Sequence, residues 1–218
     1  MIRIAIDGPG GAGKSSVAKQ VARKMDIEYI DTGAMYRAVG WKALSEGIDP
    51  KDEAAVSEML PRTDINFEHN HIILDGEDIS GKIRTPEVSK AASACSGLGC
   101  VREKLVAAQR KIADGKSVIM DGRDIGTNVL PNAEVKIYMD ADPMVRAERR
   151  WKELREAGKE ADLQAIADDI RNRDAQDMNR KLNPLRKAED AVYLDTSELT
   201  FDETVQSVLD IIGNRNEQ

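Results

Sequence analysis

The 218-residue chain is long enough to bury a substantial core without help from a disulfide or a metal ion. Its formal net charge of −7 at pH 7 argues against binding to nucleic-acid polymers or anionic membranes, since both need a positive surface. Aromatic residues make up only 4% of the chain, too few for a platform on which single-stranded bases stack.

The amino-terminal segment and the cysteines indicate a cytoplasmic protein. The apolar run after Met1 is too short for a secretory signal, and no run approaches the ~20 apolar residues of a membrane span. Cys95 and Cys100 have a spacing open to a redox or metal pair, but we interpret them as reduced, partly buried thiols. No exposed apolar stripe stands out, so we expect a monomer.

Five short apolar runs, each followed by an aspartate, predict the strands of one parallel sheet. They span residues 2–6, 28–30, 117–120, 135–139 and 192–194. Amphipathic helical stretches follow several of them. One has its apolar face at Val17, Val21 and Met25, and the last has Phe201, Val205, Val208, Leu209 and Ile212 after a capping box at Thr200 and Glu203. This alternation predicts an α/β fold with a doubly wound, five-stranded parallel sheet.

Two segments break the alternation. Residues 65–79 have the pattern of an inserted hairpin with a turn at Asp75-Gly76, and we interpret His69 and His71 as part of a solvated tip rather than a metal site. A helix follows, with Thr85 as its N-cap and Pro86 at its first position. The next helix has Val101, Leu105, Ala108 and Ile112 on one face. Residues 143–158 predict a helix dense in arginine.

Residues 8–15 match the phosphate-binding P-loop pattern G-x-x-x-x-G-K-[ST]. The match follows a predicted strand and opens a predicted helix, as this motif requires. Its glycines let backbone N–H groups point inward, and the helix amino terminus favours anions. Lys14 is then placed to bridge the β- and γ-phosphates of a nucleoside triphosphate, and Ser15 to bind Mg²⁺, with Asp121 near the metal. The predicted ATP-binding residues are Gly8, Pro9, Gly10, Gly11, Ala12, Gly13, Lys14, Ser15 and Ser16.

A P-loop leaves the reaction open among GTPases, ATPase motors and small-molecule kinases. The base-recognition signal N-K-x-D of GTPases is absent from the sequence, and motor ATPases are usually larger. A kinase needs a second anion site facing the loop. Arg37 and Arg123 suit that role because they follow predicted strand ends, where ligands of such sheets bind. Arg146, Arg149 and Arg150 lie on one face of the arginine-rich helix.

The motifs of this chain closely resemble those of the bacterial cytidylate kinases, a family of P-loop nucleoside monophosphate kinases. The resemblance covers essentially the whole chain. Its strings are residues 7–14 (DGPGGAGK), 31–37 (DTGAMYR), 75–80 (DGEDIS), 83–85 (IRT), 121–127 (DGRDIGT) and 173–180 (RDxxDxNR).

The resemblance implies transfer of the γ-phosphate of ATP to CMP or dCMP, with Mg²⁺ as cofactor. Matching positions for the acceptor phosphate are Arg37, Arg123 and Arg180, and for the cytosine base Ser93, Arg102 and Asp124. Arg173 and Asp177 match ribose-contacting positions, and Thr32 also belongs to the acceptor site. The implied catalytic set is Lys14, Arg37, Arg123 and Arg180, together with Arg146 and Arg150 from a lid that closes over the transferring phosphate.

The expected organisation is one kinase domain with two additions to its core. The core spans residues 1–35, 96–142 and 166–218, the acceptor-binding insert about 36–95, and the lid about 143–165. Two other functions stay open: a small P-loop kinase for UMP, AMP or shikimate, and a nucleotide-dependent regulatory switch. The switch needs only one anion site, whereas the arginines predict two.

Overall fold

The computed structural model describes residues 1–68 and 71–216, which form two compact units. The P-loop unit consists of Met1–Tyr29 and Ser117–Gln218, and the inserted unit is Ile30–Lys116. The acceptor-binding insert expected at about 36–95 lies within the inserted unit, which is longer at both ends. His69, expected at a hairpin tip, lies outside the described residues.

The elements alternate between strands and helices in the P-loop unit and are mixed in the inserted unit. The strands are β1 (Arg3–Asp7), β2 (Glu28–Asp31), β3 (Ile65–Glu68), β4 (His71–Leu74), β5 (Glu77–Asp78), β6 (Val118–Gly122), β7 (Val135–Asp140) and β8 (Val192–Asp195). The α-helices are α1 (Lys14–Met25), α2 (Thr32–Ser45), α3 (Glu53–Met59), α4 (Pro86–Cys95), α5 (Gly99–Ala113), α6 (Pro143–Glu156), α7 (Leu163–Met178) and α8 (Phe201–Asn216). A 3₁₀ turn covers Leu60–Arg62 and a π-helical turn covers Ile125–Val129.

The main sheet is the predicted five-stranded parallel sheet. Its strand order is β2-β6-β1-β7-β8, and β1 pairs in parallel with β6 and β7, as does β7 with β8. The chain therefore first forms β2 and β6 on one side of β1, and later β7 and β8 on the other side. Strand β1 lies where the winding reverses, and in such sheets the crevice beyond that point binds ligands.

The strands extend further toward their carboxyl ends than the apolar runs predicted. Four of them end on the aspartate that was expected to follow, and β6 continues to Gly122. The reason is visible in the registers, where Asp7 pairs with Gly122 and with Tyr138, and Asp140 pairs with Asp195. The polar side chain ends the apolar pattern, but the backbone continues the ladder.

Helices α1 and α8 cover the sheet of the P-loop unit and bury the stripes that the sequence predicted. Val17, Val21, Val205, Val208 and Ile212 are all buried in one apolar cluster. Phe201 is an exception, because it is the first residue of α8 and is 49% exposed. The predicted capping box is confirmed: Thr200 N–H donates to Glu203 Oε2 at 2.8 Å, and Glu203 N–H donates to Thr200 Oγ1 at 3.3 Å.

The inserted unit packs α2, α4 and α5 with the antiparallel sheet β3-β4-β5 around its own apolar core. The predicted Asp75-Gly76 turn is present, and both residues have positive φ, 52° and 84°, which suits a tight hairpin. Thr85 caps α4 by accepting the N–H of Val88, and Pro86 is the first helical residue, as predicted.

The predicted apolar face of α5 and the reduced cysteines are also confirmed. Val101 and Leu105 are fully buried, and both cysteines are free thiols. Cys95 is buried beside the carbonyl of Pro50.

His71, which was interpreted as part of a hairpin tip, forms a hydrogen bond between its Nδ1 and Asp78 Oδ2 at 2.8 Å. Across the described residues, no group of three or more His, Cys, Asp or Glu is arranged to hold a metal ion, and no helix is long and apolar enough to cross a membrane.

Candidate active site

The P-loop connects the carboxyl end of β1 to the amino end of α1. Gly8 has φ of 147°, and a methyl group placed on it would lie 1.9 Å from the carbonyl oxygen of Met139, so only glycine fits. Gly13 is the N-cap of α1 with φ of 86°, in the left-handed region. The loop thus ends at an uncapped helix amino terminus, where free N–H groups and the helix dipole favour a phosphate.

Lys14, the first residue of α1, is buried within this loop. Its Nζ donates to the carbonyl oxygen of Pro9 at 2.6 Å. Burial, and after it the positive charge of Arg123, lowers the pKa of Lys14 to about 7. The ammonium therefore gains from a nearby anion, which restores the preference for its charged form.

Ser15 and Asp121 lie together, as the sequence predicted for a metal-binding pair. Ser15 Oγ donates to Asp121 Oδ2 at 2.7 Å, and the hydroxyl of Tyr29 donates to the other carboxylate oxygen at 2.9 Å. Magnesium usually keeps several waters and uses one or two protein oxygens besides substrate phosphates. A hydroxyl and a carboxylate side by side at the end of the P-loop fit that requirement.

A cluster of charged side chains lies beside the P-loop. A methyl group placed on Gly10 would lie 3.4 Å from Nη2 of Arg123 and 3.9 Å from Cδ of Arg173. Arg123 Nε donates to Asp177 Oδ2 at 2.8 Å, and Arg180 Nη1 lies 3.9 Å from Asp177 Oδ1. The structure thus brings Arg123, Asp177 and Arg180 together and places Arg123 and Arg173 against the loop.

Mutual attraction keeps this cluster ionised despite burial. Burial opposes the charge of Arg123, but Asp177, together with Asp121 and Asp174, outweighs burial, so the pKa of Arg123 is raised above its usual value. Burial likewise opposes the charge of Asp177, but Arg123 and Arg180 hold the pKa of that carboxyl below its usual range. The cluster therefore presents fixed positive charge beside the phosphate-binding loop.

Asp124 follows directly on this cluster and is also buried. Its carboxylate accepts from the side-chain amide of Asn128 at 3.0 Å, and its carbonyl accepts from the N–H groups of Asn128 and Val129. The π-helical turn after it begins with the N–H groups of Ile125 and Gly126. Both donate to the carboxylate of Asp7 at 2.7 Å.

The two arginines predicted for the lid differ in their surroundings. Arg146, on α6, is 3% exposed and donates to the carbonyls of Ala141 and Gly10 at 2.8 and 2.9 Å. It also forms an ion pair with Asp174 on α7 at 2.7 Å. Arg150 is half exposed and pairs with Glu153 on its own helix. The structure brings Arg146, but not Arg150, to the P-loop.

The remaining predicted acceptor residues belong to the inserted unit. Asp31 accepts the N–H of Ala34 at the start of α2, and its other oxygen accepts from Arg37 Nη2 at 2.8 Å. Thr32, the first residue of α2, is buried. Arg102 on α5 is buried with its guanidinium 5.9 Å from the ring centre of Tyr36. Ser93 lies on α4 and is half buried.

The family model and the curated relatives agree in family. The family model for cytidylate kinase matches residues 4–214. The chain belongs to the cytidylate kinase family.

Curated members of this family are similar over nearly their whole length. A cytidylate kinase of Caldicellulosiruptor saccharolyticus is 49% identical over 221 residues, which cover 98% of each chain. One from Geobacillus kaustophilus is 46% identical and covers 98% of this chain and 97% of its own.

Solved kinase structures share the fold at low identity. A gluconokinase from Sinorhizobium meliloti has a TM-score of 0.52 at 14% identity, covering 98% of this chain and 92% of its own. Shikimate kinase from Bacteroides thetaiotaomicron has a TM-score of 0.50 at 14% identity, covering 97% of this chain and 98% of its own. These likenesses support the fold of the cytidylate kinase family, not a substrate.

Sequence reasoning missed three residues of this cytidylate kinase family site. Tyr29 donates a hydrogen bond to Asp121, and Asn128 donates one to Asp124. Asp174 forms an ion pair with Arg146. Asp174 stood within a quoted motif and Asn128 directly after one, yet no spacing rule assigned them a partner. Tyr29 is the middle residue of the short run 28–30, in which an aromatic residue indicates only burial.

Proposed function

We propose that this protein is a phosphotransferase that converts ATP and CMP, or dCMP, to ADP and CDP, or dCDP. The observation that carries the proposal is the group of ionised arginines held by Asp177 next to Gly10 of the P-loop. A loop that binds one phosphate chain needs no such second anion site for hydrolysis alone. Membership of the cytidylate kinase family supports cytidine monophosphate as the acceptor.

On the donor side, the residues from Gly8 to Ser16 wrap the phosphates of ATP. Backbone N–H groups at the amino terminus of α1 contact the phosphate oxygens. When ATP binds, the Lys14 ammonium gives up its hydrogen bond to the Pro9 carbonyl and contacts the β- and γ-phosphates instead. Ser15 and Asp121 would hold Mg²⁺, which when bound supplies neutralising charge at these phosphates. Tyr29 orients the Asp121 carboxylate for that role.

On the acceptor side, three sets of residues divide the recognition of CMP. We assign the monophosphate to Arg37, Arg123 and Arg180, and the ribose to Arg173 and Asp177. Ser93, Arg102 and Asp124 contact the base, and Thr32 completes the site. A carboxylate at Asp124 accepts from the exocyclic amine of cytosine, whereas uracil presents a carbonyl oxygen at the same position.

Transfer is an in-line displacement that needs no general base. The attacking oxygen belongs to a monophosphate, which is largely ionised near pH 7. Arg123 and Lys14 stabilise charge on the equatorial oxygens of the moving phosphoryl group. Arg146 stabilises the same charge from its position beside the Gly10 carbonyl. Arg150 must leave its ion pair with Glu153 to contact a phosphate oxygen when the lid closes and excludes water.

The deciding experiment measures ADP formation with CMP, dCMP, UMP, AMP and shikimate as acceptors at fixed ATP and Mg²⁺. We expect the highest kcat/KM with CMP or dCMP. A clear preference for UMP, AMP or shikimate would reassign the acceptor. ATP binding without acceptor-dependent turnover would instead favour a nucleotide-dependent switch.

A further inference from the structure

Asp7 joins the P-loop to the segment that contains Asp124. It is the last residue of β1, stands directly before Gly8 and is 4% exposed. Its Oδ1 accepts the N–H of Ile125 and its Oδ2 the N–H of Gly126, both at 2.7 Å. One carboxylate therefore ties the start of the donor loop to residues nearly 120 positions away.

The two N–H groups that Asp7 accepts are those at the start of the π-helical turn Ile125–Val129. The N-cap of this turn is Asp124, and its own side chain makes no capping hydrogen bond. A helical turn leaves its first N–H groups without carbonyl partners, so they need an acceptor from elsewhere. Asp7 supplies that acceptor from a neighbouring strand.

Because Asp7 caps the turn, the turn does not need the Asp124 side chain as its cap. The remainder of the turn fixes Asp124 from its other side, because Asn128 donates to its carboxylate and two N–H groups donate to its carbonyl. Asp7 holds the backbone that directly follows Asp124, and Asn128 contacts its carboxylate, so both contribute to where this carboxylate lies. The placement of a base-selecting group controls discrimination, since a misplaced acceptor no longer distinguishes an amine from a carbonyl.

Building on the proposed function, we propose that Asp7 is a positioning residue for base selection, which holds Asp124 in the orientation that prefers cytosine over uracil. An ionised carboxylate suits the task because it offers an acceptor to each N–H group. Asparagine offers one acceptor and turns an NH₂ donor toward the second N–H. Glycine at position 126 leaves room for the Asp7 carboxylate, since a methyl group there would lie 3.4 Å from Asp7 Oδ2 and 3.2 Å from Lys136 Cδ.

The test compares the ratio of kcat/KM for CMP to kcat/KM for UMP among variants. A ratio measured on one preparation cancels any loss of folded enzyme or of ATP binding, so a merely structural role leaves it unchanged. We expect Asp7→Asn to lower the ratio about ten-fold, as expected for loss of one well-placed polar contact. Asp52→Asn is the matched control, because Asp52 also accepts two backbone N–H groups, but at the start of α3.

Two further variants make the outcome decisive. Gly126→Ala crowds the same contact without removing a charge, and we expect a smaller fall in the ratio; it decides the matter if Asp7→Asn does not fold. In an Asp124→Ala background, Asp7→Asn should change the ratio no further, since both act through one carboxylate. A wild-type enzyme without CMP turnover would overturn the proposed function. A CMP-preferring wild type whose ratio survives in both Asp7→Asn and Gly126→Ala would overturn only the role of Asp7.

Discussion

Buried ionisable residues make the stability of this fold depend on pH. Burial raises the pKa of Asp7 from 3.8 to about 6, even though two backbone N–H groups and Lys14 oppose the shift and Asp124 adds to it. A carboxyl whose pKa is raised on folding stabilises the native state fully below pH 3.8, and this contribution is lost as pH rises through about 6.

We therefore expect the stability of the wild type to fall relative to Asp7→Asn as pH rises. The difference in free energy of unfolding should change by up to about 3 kcal/mol between pH 4 and pH 7, since each pKa unit corresponds to about 1.4 kcal/mol. Urea denaturation at a series of pH values measures it. Parallel stability curves for the two proteins would contradict the burial of an ionised Asp7.

Lys14 and Asp124 should separate transfer from selection. Lys14→Ala removes the cation that bridges the donor phosphates, so we expect turnover with every acceptor to fall by about 10²-fold or more. Asp124→Ala should instead lower the preference for CMP over UMP by about ten-fold or more, while some turnover remains. Steady-state kinetics with both acceptors measures the two effects. Equal losses for CMP and UMP in Asp124→Ala would refute a base-reading role.

Residues in local motifs were predictable, but most of their distant partners were not. The P-loop spacing placed Lys14 and Ser15 on a phosphate loop, because that chemistry is written in consecutive residues. The hydrogen bond from Ser15 to Asp121 spans 106 positions and is an exception, because Asp121 directly follows a predicted strand of the parallel sheet. The contacts of Asp7 with Ile125 and Gly126 required the actual register of β1 and β6.

At the scale of elements, two glycines in helices should respond oppositely to alanine. Gly40 on α2 faces α4 so closely that a methyl group would lie 2.7 Å from the backbone nitrogen of Ala92. Gly213 lies on α8 with nothing within 4 Å of that position. Both positions are helical, so alanine should raise the helix propensity by a similar amount at each. The packing around the new methyl group therefore decides whether the free energy of unfolding rises or falls.

We expect Gly40→Ala to destabilise the protein by about 1–3 kcal/mol or more, because overpacking moves a backbone. Gly213→Ala should stabilise it by up to about 1 kcal/mol. Chemical denaturation of the two variants and the wild type measures both changes. A Gly40→Ala protein as stable as the wild type would show that α2 and α4 separate readily.

Helices and strands could be predicted where apolar residues recur with a clear helical or strand spacing, whereas the ends of these elements depend on contacts with other parts of the fold. The stripe of α8 was confirmed from Val205 to Ile212, yet Phe201 is exposed, since the first turn of that helix precedes the buried stripe. The third strand of the small sheet, β5, has only two residues and no period to read.

At the scale of the whole molecule, the net charge of −7 conceals a local excess of positive charge. Arg123, Arg173, Arg180 and Lys14 belong to the P-loop unit, and burial, with Arg123 and Arg173 adding to it, lowers the pKa of Lys14. Small anions that enter this cluster are attracted, while an extended polyanion meets an acidic exterior.

We accordingly expect the KM values for ATP and CMP to rise a few-fold between low and about 0.5 M salt, as screening weakens attraction to the cluster. Steady-state assays across that range measure the effect. In the same buffers, fluorescence anisotropy should detect no binding of a labelled single-stranded oligonucleotide. Salt-independent KM values, or tight oligonucleotide binding, would contradict this view of the charge distribution.

The strand order has a consequence for how the chain is made. Among the described strands, β1 pairs with β6 and β7, and the N–H of Ile2 donates to the hydroxyl of Ser117, 115 residues later. Ribosomes add about 5–20 residues per second, so the nascent β1 waits on the order of ten seconds for its neighbours. During that interval the whole inserted unit is synthesised and its local contacts can form first. The nucleotide-binding half of the enzyme is therefore completed last, although its defining loop emerges first.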